Sequence, residues 1–228
     1  MSLFIRKVHI SLAHIKALDK ENALYHITRT EVEVNSVATG SLSANVDNLF
    51  LGQLPKRIVL GCVATSAFNG TNNKNPFIFK HYSLNFLALY VDGQQIPAKA
   101  FKPNFSEKHT LREYMSLFIG TGQFFKDEGN QISREEFNDS FTVYALDLTP
   151  DLNEGTPLNP VMQGSIWLEM HFADALPETM NILFIGEYFN TIEISKTDKL
   201  CLITMHDESL RSKIGMLHNC VCSLAKAV

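Results

Sequence analysis

"GSIWLEMHFADALPETMNILFIGEY", residues 164–188, holds two strand-like runs around a turn-rich loop, "ADALPET". In the first run Ile166, Leu168, Met170 and Phe172 alternate with Ser165, Trp167, Glu169 and His171. Successive side chains on a strand point to opposite faces, so the alternation describes a half-buried strand with one apolar face. The second run, Met180–Ile194, is a long apolar strand, and Gly186 within it marks a bend or bulge. Glu169, His171 and Glu187 fall within this one strand-turn-strand stretch. Such groups can hold a metal ion if they converge inward, and meet water if they line the outside of a sheet. With the apolar set facing the core, Glu169 and His171 face solvent, because burying unpaired charges costs several kcal/mol each. The pattern describes the outside of a wall.

The rest of the chain extends that reading. Arg57–Ala64 packs Ile58, Leu60 and Cys62 on one face and Val59 and Val63 on the other, with Pro55 just ahead. Leu84–Val91, then Asp92-Gly93, then Gln95–Phe101 reads as a tight hairpin, since Gly accepts positive φ without steric cost. Pro97 places the returning strand at an edge or gives it a bulge. Leu3–Ile10, Tyr25–Val34 and Phe141–Leu148 are further strands, and Ser11 caps a short turn carrying Leu12, Ile15 and Leu18. Between strands, Leu111, Tyr114, Met115 and Phe118 fall at helical spacing until Gly120 and Gly122, and Ser133 with Glu136 forms a capping box. Eight or nine strands in about 195 residues predict an all-β fold: an eight-stranded antiparallel jelly-roll sandwich with short helical insertions. Residues 1–198 form this single domain. The tail, 199–228, differs: Leu210, Ile214, Leu217, Val221 and Leu224 recur at heptad spacing behind Asp207, which predicts a docked amphipathic helix.

Composition excludes several classes of function. The 228 residues are 45% apolar, with sixteen Phe against one Trp and six Tyr, enough for one core built on phenylalanine. A net charge of −4 without a basic stripe argues against direct nucleic-acid binding. No run approaches the roughly 18–20 apolar residues of a membrane span, and the N-terminus lacks a secretory signal pattern. The four cysteines, 62, 201, 220 and 222, have no zinc spacing and read as reduced thiols of an intracellular compartment. The eight histidines are scattered, and none forms the His-x-His pair that a cupin-type metal site requires. There is no Gly-x-Ser-x-Gly elbow, dinucleotide fingerprint, Walker loop or calcium-loop spacing. The reading is of a non-enzyme with no catalytic, cofactor or metal site. The candidate contact residues are aromatic: Trp167 on the polar strand face, and Tyr114, Phe118, Phe124 and Phe125, expected to be exposed within the insertion 104–139. That insertion is either an inter-subunit, tower-like element or a cover for the sandwich end.

"LPKRIVLGCV", "AFNG…KNPFIFKHY", "LNFLALYVDGQQIPAKAF", "REYMSLFIGTGQFFKDEGNQISREEF", "YALDLTPDL" and "LEMHFADALPETMNILFIGEYFNTIEI" resemble, in this order, segments of one family. It is the major capsid protein of Maverick/Polinton elements and adintovirus-like viruses, and the resemblance, from about residue 3 to 197, is to its C-terminal half. The resemblance implies one of two tandem jelly rolls, a capsid role, assembly as a homotrimer and with other capsid proteins, and a place in a virion or the host-cell interior. The alternative is a host-retained β-sandwich that grips a ligand or partner through its end loops.

Overall fold

Strands form where apolar residues alternate or run continuously, and they pair in a nested order. The structure is a computed structural model and describes residues 11–13, 16, 22–50, 52–124, 126–127, 129–149, 161–194 and 201–203. Its strands are β1 (Ala23–Val37), β2 (Ser43–Val46), β3 (Arg57–Ala64), β4 (Leu84–Val91), β5 (Gln94–Phe101), β6 (Val143–Asp147), β7 (Ile166–Phe172), β8 (Met180–Ile194) and β9 (Cys201–Ile203). Three short helices are described: α1 (Thr65–Phe68), α2 (Leu111–Gly120) and α3 (Arg134–Asp139). One sheet runs β1-β8-β3-β6, with β9 paired to β8; the other runs β2-β7-β4-β5. The neighbours β1 and β8, β2 and β7, β3 and β6, β4 and β5 nest inside one another, as in a long hairpin folded over on itself. That is the jelly roll, and the expected all-β class holds.

The chain divides into two compact units, one Arg29–Phe189 and the other Met1–Thr28 with Asn190–Val228. The first unit holds the sandwich. In the second, Asn22 Nδ2 donates to Glu193 Oε1 at 2.6 Å, His26 Nδ1 lies 3.2 Å from Thr191 Oγ1, and Ile192 pairs with Ile203. The expected strand Leu3–Ile10, Ile15 and Leu18 of the following turn, Phe125 and the tail helix over 207–226 lie outside the described residues.

The sandwich core is built from alternate positions of both sheets. Ile166, Leu168 and Met170 of β7 and Leu87 and Leu89 of β4 are fully buried, and so are Ile58 of β3 and Ile182 of β8. The hairpin turns on Asp92 at φ 49° and Gly93 at φ 80°, the left-handed pair that a two-residue turn demands. Pro97 has both features expected of it: β5 is the edge of its sheet, and its register with β4 shifts between Leu87 and Leu89. Gly186 differs from expectation. The register of β8 on β3 is continuous from Arg57–Glu187 to Ala64–Met180, so no bulge interrupts the ladder there. Instead a Cβ at Gly186 would lie 3.0 Å from the Phe50 ring, and the glycine makes room for it.

The segment between β5 and β6 carries α2 and α3. Ser133 Oγ accepts from Glu136 N at 3.2 Å, and Glu136 Oε2 accepts from Ser133 N at 2.8 Å, the capping box read from sequence. Phe137 follows, fully buried, with its ring 5.7 Å from Tyr114 and 6.0 Å from Tyr144. Arg112 fastens α2 to the end of β5, donating to Ala100 O at 2.7 Å and to Lys99 O, over the Phe101 ring.

Candidate functional surfaces

The Glu169, His171 and Glu187 side chains do not converge. Glu169 and His171 stand on the outer face of the β2-β7-β4-β5 sheet, while Glu187 belongs to the other sheet and pairs with Arg57 at 3.5 Å. Alternation on β7 decides this, since every second residue, Ile166 to Phe172, is committed to the core. His171 Nε2 lies 2.9 Å from Glu169 Oε1, and Tyr90 Oη donates to Glu169 Oε2 at 3.1 Å. Desolvation, and then this bond to Glu169, push the Tyr90 hydroxyl above its ordinary range. Trp167 stacks on Tyr90 with ring centres 3.8 Å apart and planes 4° apart, and the Phe86 ring meets His171 edge-on at 5.1 Å. This face is a paired polar and aromatic surface. Among the described residues no three His, Cys, Asp or Glu groups lie together as a metal site would need.

The aromatic residues of the insertion are less open than the sequence suggests. Tyr114 is half-buried, with its hydroxyl donating to Ile132 O at 2.8 Å and its ring edge-on to Phe118 at 5.1 Å. Phe118 is also half-buried, whereas Phe124 is 43% exposed. Helical spacing placed Tyr114 and Phe118 on α2, but it could not show that α2 lies on β6 and turns Tyr114 toward Phe137. Trp167 is half-buried against Tyr90.

The two ends of the sandwich differ. At the insertion end Glu178 accepts from Lys74 Nζ and Lys80 Nζ, each at 3.0 Å, and from Tyr82 Oη at 3.2 Å. The bonds from Lys74 and Lys80 hold the Glu178 carboxyl below its usual range. At the opposite end the β2–β3, β4–β5 and β6–β7 connections border a cleft of about 340 Å³. Its walls include Leu54, Val91, Ile96, Leu148, Met162 and Phe189, with Gln53, Lys56 and Asp92 among its polar groups. Sequence reading did not find it, because it is assembled from three connections far apart in the chain. Among the described residues no helix is long and apolar enough to cross a membrane.

This architecture is shared with viral capsid chains. It is similar to a chain in a quasi-atomic model of the PBCV-1 virus capsid, with TM-score 0.51 and 10% identity over 87% of this chain and 55% of that one. The PBCV-1 VP54 crystal structure fitted into a reconstruction of the virophage Sputnik gives the same TM-score, identity and coverage. An uncharacterised protein of Caenorhabditis elegans is 24% identical over 155 residues, 67% of this chain and 37% of that protein. No family model matches the chain. The chain thus spans less than two thirds of the length of each of these relatives.

Proposed function

We propose that this chain is a structural subunit of capsid type, a single jelly roll corresponding to one half of a double jelly-roll major capsid protein of Maverick/Polinton or adintovirus-like origin. The observation that carries the reading is the nested strand order, similar to that of a viral capsid chain over 87% of this one. In this reading residues 1–198 are one domain and 199–228 a divergent tail. The work is done by contact area, with no reaction: sheet faces and end loops pack against further copies, as a homotrimer, and against other capsid proteins. Stable contacts of this kind bury upwards of about 1,000 Å². Tyr114, Phe118, Phe124 and Phe125 of the insertion and Trp167 on the sheet face are the contact residues. The chain binds neither nucleic acid nor membrane directly, and resides in a virion or the host-cell interior.

Multi-angle light scattering at rising concentration, followed by negative-stain microscopy, tests the reading. Trimers or larger closed assemblies are expected, and a stable monomer at high concentration would overturn self-assembly. The end-loop cleft of about 340 Å³ favours a second reading, a binding module that is monomeric and takes one small, mainly apolar ligand. Saturable binding by a monomer, abolished by Leu54→Asp, would establish it instead.

A further inference from the structure

The two sheets have outer faces of opposite character. That of β2-β7-β4-β5 is polar and aromatic. That of β1-β8-β3-β6 is aliphatic: Val59 of β3 pairs with Ile185 of β8 on one side and Ala145 of β6 on the other, and Gly61 pairs with Leu183 and Val143. All these positions point away from the core, whose contributions from β3 and β8 are Ile58, Leu60, Cys62, Met180, Ile182, Phe184 and Tyr188. A strand apolar on both faces is one built to be covered on both. The unit covers only part of this outer face itself. Gly120 of α2 lies against Ala145, and the Phe79 ring lies over Gly61. Toward β1 the cover stops. Ser36 Oγ donates to Asn181 Oδ1 at 2.8 Å, and Arg29 lies over the Tyr188 ring, which together frame β1 on β8. This framing sets Val34 beside Leu183 and Val32 beside Ile185. Val32 is 58% exposed and Val34 42%.

We infer that the outer face of the β1-β8-β3-β6 sheet, centred on Val32, Val34, Val59 and Ile185, is where a second copy of this chain docks. The inference rests on the capsid-type reading and names the surface through which the copies meet. Charge argues for a copy as the occupant. Between the Arg57–Glu187 pair at one end and the Ser36–Asn181–Thr65 hydrogen bonds at the other, the outward positions of β1, β8 and β3 hold no Asp, Glu, Lys or Arg. Two chains that each carry a net charge of −4 therefore meet there without like charges opposed. Shape agrees, because aligned sheets pack face to face about 10 Å apart through small and β-branched side chains. Four aliphatic residues fall short of the roughly 800 Å² per partner of a stable contact. Ile119 of α2, 44% exposed, and Phe77, 70% exposed, flank the covered part of the same side and extend the area.

Sedimentation equilibrium on the full chain tests this with two charge insertions, Val32→Lys on this face and Asn45→Lys on the exposed face of β2 in the other sheet. Both positions are exposed, so both variants should keep the wild-type far-UV circular dichroism. Val32→Lys is expected to weaken self-association at least tenfold, and Asn45→Lys, on the face that carries the further contact residue Trp167, to weaken it less than threefold. Undiminished association of Val32→Lys overturns the assigned face while the capsid-type reading stands, the more so if Asn45→Lys is the variant that dissociates. A wild-type chain that stays monomeric overturns both.

Discussion

A methyl group at Gly120 would sit 2.4 Å from the carbonyl oxygen of Ala145, against backbone that cannot swing aside. Helix propensity alone favours Gly120→Ala by up to about 1 kcal/mol. The contact reverses the sign, and the substitution is expected to destabilise by about 1–3 kcal/mol in urea unfolding. The sequence reading used this glycine as a helix stop; the reason for it lies in β6, twenty-five residues further on. Glu178 gives a pH signature. Its carboxyl is held below the usual value of 4.5 by Lys74 and Lys80, so its stabilising contribution is complete above that value. The contribution is lost as pH falls through the lower folded value. Since the two lysines are 43% and 50% exposed, screening limits the effect to about 1 kcal/mol or less. Glu178→Gln should be less stable than wild type near neutrality, with the gap closing in melts below about pH 4. At this scale the inward and outward choice for Glu169 and His171 was legible, because alternation on one strand fixes it. Their contacts with Tyr90 and Phe86 were not, because those come from a neighbouring strand.

Among elements, α3 holds the insertion through one residue. Phe137→Ala removes a fully buried ring between Tyr114 and Tyr144 and is expected to cost about 3–5 kcal/mol. Hydrogen exchange should rise over 111–139 before it rises in β7, because the ring ties the helices to the sandwich. Elements with a full period were legible: β3, β4 and β8 have the bounds read from sequence, and the hairpin turn and capping box were read from their own residues. β2 was missed because "SANV" is too short to show a period. α1 was missed for the same reason, at four residues. β9 lies in the tail, where the heptad spacing drew attention to a helix further on.

For the whole molecule, Cys62 reports on opening. Burial pushes its thiol up to about 12, and it sits within the core beside Leu60. Iodoacetamide labelling of Cys62, followed by peptide mapping, should be slow in the folded chain and rise with the unfolded fraction in urea. Labelling at the rate of a free thiol would contradict a closed sandwich. The sandwich class was legible from strand number and turn spacing. Beyond the β4–β5 hairpin the partnership of strands was not, because antiparallel runs of similar hydrophobicity do not encode which neighbour each will take.

The nested order also sets a schedule for synthesis. Ser36 and Asn181, which bond across the outermost pair, are 145 residues apart in the chain. At about 5–20 residues per second, β1 leaves the ribosome roughly 7–30 s before its partner exists. The inner hairpin of β4 and β5 can close at once, whereas β1 must wait for β8. A nascent chain of this design spends that interval with Val32 and Val34 uncovered and a sheet edge unpaired, a substrate for chaperones and a hazard on crowded polysomes.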